Sequence, residues 1–529
     1  MKRLVAVLVA AVLGLSLTSL DEAGAAPADV SVTSYTPTIN LGSCGDGDRC
    51  ANFVVPLDWS NPDGAKITLA VRVHTHTSLV SKGVLLVNPG GPGASGTVYA
   101  DVLPDRIPGG VGNQYDVVGW DPRGVGRSTP SLHCNSSYFG VNRRNFVPTT
   151  HRLMRFWKHK TARYAAACGA SSAKALLPHM STVDNVRDMD ALRQALGASK
   201  ISYYGFSYGT YLGQVYATMF PDRVKWFVFD GVVNPTDYWY RANLKQEIWF
   251  DRNLKTFFRW IAKHPGAYHL GRDWRVIKHG YYRLLRKLDR HPAYHRKLGP
   301  DEVTDAIINA TYYVYSWDYI AWAYSRLVRT GRGAPMFGLY RDGNMGDDNG
   351  YAVYLGVQCT DASHPSWPTQ RRDAWRIHKK HPYLAWDNTW FNAPCLRWPA
   401  ASHSKVDVTG ASAAANGGRF LLVNETRDAA TPYSGALKVR SLFSSSRLIA
   451  GVGGTTHAGS LSGVACVDNR ISGFLDSGAL PPRLSGTRAD VSCPKVSPPP
   501  AYAGRSAGSM RTSGTGLTAR ALLPGWRWS

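Results

Sequence analysis

The chain has 529 residues and a mass of 57.9 kDa, room for two or three domains at roughly 100–200 residues each. Hydrophobic residues at 44% and charged residues at 19% exclude a disordered chain, and 52 Gly with 31 Pro exclude a collagen-like one. Sixty-one Lys and Arg against 37 Asp and Glu give a formal charge of +24, yet no zinc-finger spacing or basic helix followed by heptads accompanies it; nucleic acid is not expected as a partner, and the charge is read as solvated surface.

Taken in chain order, Lys2 and Arg3 precede an apolar run from Leu4 to Leu17, and Ala23-Gly24-Ala25 supplies small residues for cleavage. That is the plan of a secretory signal peptide over residues 1–25. The run falls short of the ~20 apolar residues that cross a bilayer. No later segment reaches that length without charges, so the mature protein is expected outside the cell and without stable membrane insertion. Residues 26–41 make a short N-terminal segment.

Strands are predicted next. Ile67–Val73 alternates at period two, and short apolar runs follow at Val84–Val87, Tyr115–Gly119, Ile201–Tyr204, Val224–Phe229, Phe420–Val423 and Arg447–Ala450. Continuous apolar runs suit a parallel sheet covered on both faces. Between them, Thr182–Leu196 puts Val183, Val186, Met189, Leu192 and Leu196 on one helical stripe, and Gly197 stops it. Strands alternating with helices predict an α/β fold. The pattern breaks over residues 235–418, where aromatic helical periodicity takes over, as in Trp249-Phe250, Phe257-Phe258, Trp260 and Trp322. This predicts a mostly helical cap between two parts of the core, 42–234 and 419–493. Residues 494–529, with Pro498–Pro500 and then Gly, Ser and Arg, are predicted to form a flexible tail.

Eight cysteines in an exported chain favour disulfides. Neighbouring pairs (44–50, 134–168, 359–395 and 466–493) are the simplest of the 105 pairings that eight cysteines allow. No Cys-x-x-Cys is present, so no metal site is expected.

The chemistry gathers at Gly205-Phe206-Ser207-Tyr208-Gly209, after a predicted strand and before the helical stretch from Thr210. In that setting Gly-x-Ser-x-Gly is a nucleophile elbow. The glycines allow a turn too tight for side chains, and Ser207 is pushed clear of the backbone at the positive end of a helix. A serine hydroxyl needs a base and an orienting acid, which follow in the order acid, then histidine. Asp428 lies just past the strand 420–423 and His457 in a glycine-rich loop past the strand 447–450, so both belong at the sheet edge where the serine emerges. His403 is the rival base and Glu425 the rival acid. Oxyanion donors are expected from Gly91, in Asn88-Pro-Gly-Gly-Pro-Gly93, and from the N–H of Tyr208. No Lys-Ser/Thr follows the glycines, so this is not a phosphate loop, and no cofactor is expected.

Asn88-Pro-Gly-Gly-Pro-Gly93, Trp120-Asp-Pro-Arg-Gly-Val-Gly-Arg-Ser128 and Tyr204-Gly-Phe-Ser-Tyr-Gly-Thr-Tyr-Leu-Gly213 resemble the secreted tripeptidyl aminopeptidases of Streptomyces. These stand with the proline iminopeptidases among α/β-hydrolase serine peptidases. The resemblance continues through Asp230-Gly-Val-Val-Asn-Pro235 and Asp428-Ala-Ala-Thr-Pro432, and spans about Cys44 to Cys493. It implies an α/β-hydrolase fold with an inserted helical cap. It also implies release of short peptides from oligopeptides with a free N-terminus, with Ser207 as nucleophile, Asp428 as acid, His457 as base, and Gly91 and Tyr208 as oxyanion donors. No motif marks the acid that would hold the substrate's ammonium. Glu247, Asp347, Asp348 and Glu425 are the candidates, because a buried ammonium is costly unless paired. An esterase or lipase on the same fold, and a catalytically silent binding protein, are the competing readings. An epoxide hydrolase or dehalogenase in its usual form is excluded, since it needs Asp at position 207. Long-range attraction to anionic cell-wall polymers is the one partner suggested by the charge itself.

Overall fold

A computed structural model describes residues 35–502 apart from positions 46, 347 and 404. The expected signal peptide, Asp347 and the far end of the expected tail lie outside the described residues. Ten strands form one sheet: β1 (Gly42–Gly45), β2 (Asp48–Pro56), β3 (Lys66–His74), β4 (Val84–Asn88), β5 (Asp116–Trp120), β6 (Ile201–Phe206), β7 (Val224–Asp230), β8 (Arg419–Glu425), β9 (Ser446–Val452) and β10 (Val491–Pro494). Their spatial order is β1-β2-β3-β5-β4-β6-β7-β8-β9-β10. The pairs β1/β2, β2/β3 and β3/β5 are antiparallel, and every pair from β5/β4 to β9/β10 is parallel.

The apolar runs explain the layering. Along the central strands alternate side chains enter opposite faces: Leu86, Tyr203, Phe227 and Leu422 one core, Leu85, Tyr204, Val228 and Val423 the other. Both faces are covered, which is why β6 is buried at every position. The helix expected at 182–196 runs Thr182–Ala195. Ser181 caps it reciprocally with Asp184, satisfying backbone donors that its first turn leaves unpaired.

The chain between β7 and β8 is a helical insertion, from Tyr240–Ala262 through Ala385–Asn392, with its own core around Phe257, Phe258, Trp260, Tyr281, Ile307, Trp317 and Tyr324. Two features extend it beyond the sequence reading. The helix His151–Gly169, which the sequence analysis leaves unassigned, brings Trp157 against Phe146, Trp386 and Trp390, so part of the first core segment builds the cap's aromatic layer. The start of the expected tail is held in place: the Val496 N–H donates to Glu425 at 2.7 Å, the Tyr502 N–H donates to the Tyr268 hydroxyl, and the Tyr502 ring lies 5.3 Å from Trp322. The four neighbouring cysteine pairs are disulfides. Among the described residues no helix is long and apolar enough to cross a membrane.

Candidate active site

β6 ends at Phe206 and the helix Tyr208–Met219 begins at once, leaving Ser207 at φ 54°, ψ −124° as its N-cap. A non-glycine residue there costs about 1–3 kcal/mol and persists only where the surroundings over-determine it. They do so here. A Cβ on Gly205 would lie 2.6 Å from the Gly209 carbonyl oxygen, and one on Gly209 would lie 2.5 Å from the Asn88 carbonyl oxygen, so neither flank tolerates a side chain. The Ser207 N–H donates to the Asp230 carbonyl at 2.9 Å, pinning the turn to the end of β7.

Asp428 and His457 meet although 29 residues separate them. His457 Nδ1 lies 2.8 Å from Asp428 Oδ2, and both side chains are fully buried. The carboxylate cannot swing. Its Oδ1 accepts the N–H groups of Ala430 and Thr431 at 2.9 and 3.0 Å, and its Oδ2 also accepts the Thr431 hydroxyl at 2.7 Å. The imidazole packs on Gly231, the residue after the Asp230 that ends β7 opposite Phe206; a Cβ there would lie 2.8 Å from His457 Cε1. Its Nε2 is buried and, among the described residues, has no hydrogen-bond partner. With Nδ1 committed to the acid, Nε2 is the nitrogen left to exchange a proton.

Ser207, Gly91 and Tyr208 line one cavity beneath the cap, whose walls include Trp239, Phe250, Tyr312, Tyr354 and Phe391. The glycine loop after β4 reaches the elbow backbone: a Cβ on Gly90 would lie 2.9 Å from the Tyr208 nitrogen. The positive end of the Tyr208–Met219 helix faces the same spot, where negative charge on a substrate oxygen is favoured.

Of the acids proposed from sequence for a substrate ammonium, Glu247, Asp348 and Glu425 are among the described residues, and none of the three lines this cavity. Asp348 stands at the N-cap position of the helix Asn349–Asp361, but its carboxylate turns away to accept the N–H of Cys134 and the Tyr164 hydroxyl, each at 2.9 Å. Glu247 stands behind the cavity wall, where burial, with Asp373 and Asp387 adding to it, holds its carboxyl well above the usual range. Glu425, the rival acid, lies under the histidine loop and accepts the N–H groups of Thr456 and Val496. Burial pushes it up to about 8 against those bonds, with Asp428 and Asp230 contributing in the same direction. The carboxylates that do line the cavity are Asp237 and Asp387. No motif announces them, because their place is set by how the cap helices pack. His403, the rival base, faces the Pro178 carbonyl at the surface.

Comparison with known proteins agrees with this geometry. The alpha/beta hydrolase fold family matches over residues 83–454. A tripeptidyl aminopeptidase of Streptomyces lividans is 36% identical over 470 residues, 85% of each chain. A Mycobacterium tuberculosis protein named serine protease Hip1 is 29% identical over 461 residues, 82% of this chain and 86% of its own. Another from that organism, named carboxylesterase B, is 32% identical over 455 residues, 82% of this chain and 85% of its own.

Proposed function

The chain belongs to the alpha/beta hydrolase family and is a serine hydrolase of its peptidase-containing branch, and from that premise we propose that it is an exported exopeptidase releasing short peptides, tripeptides first among them, from the free N-terminus of oligopeptides. The single observation that carries the reading is the locked Asp428–His457 pair, its imidazole packed on Gly231 next to the Asp230 carbonyl that pins the strained Ser207, with Ser207 itself lining a capped cavity. Ser207 Oγ attacks the scissile carbonyl as His457 Nε2 takes its proton. Asp428 keeps the imidazole in the tautomer that leaves Nε2 able to accept, and supports the imidazolium that forms. The N–H groups of Gly91 and Tyr208 hold the oxyanion, typically worth ~2.7–4 kcal/mol per donor. His457 then hands its proton to the leaving amine, and water repeats the sequence to release the acyl group from Ser207.

A cap over the nucleophile suits a peptide end better than a chain passing through. Asp387 is the acid we assign to the substrate's ammonium. It is buried in the cap wall of the cavity. Export is supported by the four disulfides, which persist in oxidising compartments, and by the leader-like residues 1–25. The basic surface would then keep the enzyme close to anionic wall polymers.

A carboxylesterase is the second reading, favoured by the 32% identical relative of that name and by the aromatic cavity walls. One assay separates the two. The protein is offered an unblocked tripeptide anilide, its N-acetylated twin and a short-chain nitrophenyl ester. Cleavage of the unblocked anilide with the acetylated one spared is expected. Ester cleavage alone would establish the esterase instead.

A further inference from the structure

Asn253, from the cap helix Tyr240–Ala262, reaches both loops that carry Asp428 and His457, while Gln246 of the same helix donates to the Ala430 carbonyl of the Asp428 loop at 2.8 Å. Asn253 Nδ2 donates to the Arg427 carbonyl at 3.0 Å, to the Thr311 carbonyl at 3.1 Å, and reaches the Thr455 carbonyl at 3.5 Å. Arg427 precedes Asp428, Thr455 stands two residues before His457, and Thr311 lies in the last turn of the cap helix Pro300–Tyr312. Three carbonyl oxygens around one atom fix the amide's orientation, since the carboxamide oxygen turned that way would face only acceptors. Asn253 is 1% exposed, so water does not stand in for it.

Neighbouring contacts run the same way. The His457 N–H donates to the Tyr312 carbonyl at 2.8 Å, and the Arg427 N–H to the Gly454 carbonyl at 2.9 Å. The catalytic acid and base are therefore referenced to the cap as well as to the sheet. Resting on the serine-hydrolase reading above, we infer that Asn253 is a positioning residue: it sets the Asp428–His457 geometry from the cap side and makes activation of Ser207 depend on where the cap sits.

The test replaces Asn253 with Leu, which keeps bulk and removes the donors, and with Asp, which puts acceptors against the carbonyls. Asn344→Leu removes a buried cap amide that bonds to Tyr340 within its own helix, and serves as the control for lost stability. The readouts are the rate at which a small fluorophosphonate labels Ser207, the final labelled fraction, and the low-field proton NMR signal of the hydrogen bond between His457 Nδ1 and Asp428. A misplacement of about 1 Å costs around 100-fold in rate. Both Asn253 variants are expected to label roughly 10- to 100-fold more slowly, to full stoichiometry, with the low-field signal shifted or broadened. Asn344→Leu is expected to label at the parent rate. If the Leu variant does not fold, Asn253→Ser gives the same reading with less disturbance. Labelling within twofold of the parent with the signal intact overturns the inference and leaves the hydrolase reading standing. A parent that never labels at Ser207 overturns both.

Discussion

A serine hydroxyl is a poor nucleophile until a base takes its proton, so the chemistry proposed at Ser207 rests on the geometry of His457 and Asp428. Ser207→Ala should lower kcat by at least about 1000-fold while the melting curve stays in place, because the elbow is held by Gly205, Gly209 and the bond to Asp230 and not by the hydroxyl. Asp428→Asn should cost about 10,000-fold, since an amide facing Nδ1 leaves the wrong tautomer. Asp387→Asn separates binding from chemistry: kcat/KM on the unblocked anilide should fall at least tenfold and ester hydrolysis hardly at all. Equal losses on both substrates would remove Asp387 from the ammonium site. Glu425 is expected to show itself in stability. Its carboxyl is raised from about 4.5 to about 8 by burial. The folded state therefore holds a proton that the unfolded chain releases, and stability falls by up to about 1.4 kcal/mol per pH unit as pH rises through that window. Glu425→Gln removes this contribution, so its melting temperature should decline less than the parent's between pH 5 and 8; parallel curves would show that Glu425 is ionised throughout. Ser207, Asp428 and His457, the residues proposed for catalysis, could be picked out from the sequence because each sits in a local signature, a glycine elbow or a loop just past an apolar strand, and the structure brings Asp428 and His457 within hydrogen-bonding distance. Asp387 and Asn253 could not be picked out, since their meaning comes from helix packing, which leaves no short-range trace.

Elements divide along the same line. Strands with continuous apolar runs were readable because burial on both faces leaves no polar alternation to confuse them, as at β6 and β8. β2 was missed because only Phe53 and Val55 carry its inward face, while Val54 between them is 45% exposed and the first half is polar. β10 was missed because four residues at a sheet edge have no period at all. What holds β10 is covalent as well as hydrogen-bonded: Cys493 is joined to Cys466 at the start of the helix Ala465–Ser477. That bridge closes a loop with a sequence separation of 27, for which chain entropy alone gives about 3.5 kcal/mol. The double substitution Cys466→Ser with Cys493→Ser should destabilise the fold by that order in a denaturant titration. It should also loosen the start of the expected tail, where Val496 hangs from Glu425 two residues before Pro498. Unchanged stability would mean that the β9/β10 ladder suffices without the sulfurs. The helix His151–Gly169 teaches a related lesson. It lies before the β6 strand in sequence yet serves the cap in space, so a boundary drawn at 235 cannot describe what the aromatic layer holds together.

Across the whole molecule the charge of +24 is unevenly spread. From Arg272 to Lys297 the chain carries nine Lys and Arg, three His and only two Asp. The helix Trp274–Arg290 sorts them by face. Ile277, Tyr281 and Leu288 are buried, while Arg275, Arg283, Arg286, Lys287 and Arg290 are exposed. Among the described residues, Arg275 has an ion pair with Asp273, and none is shown for the other four. Self-repulsion of this density is a cost that a nearby polyanion would relieve, at about 1 kcal/mol per Lys or Arg close to an anionic surface. Replacing Arg283, Arg286 and Arg290 by Gln should therefore weaken adsorption to a polyphosphate matrix roughly 100-fold at low salt. The loss should vanish near 1 M salt, where the screening length shrinks to about 3 Å. The same three charges removed from scattered, exposed core positions, as Lys174→Gln, Lys200→Gln and Arg470→Gln, separate a local face from the net total. If those scattered changes weaken adsorption as much as the helix changes do, the enzyme is held by its overall charge and the cap helix has no special part in it. If only the helix changes do so, the outer side of the cap is the face that meets the polyanion.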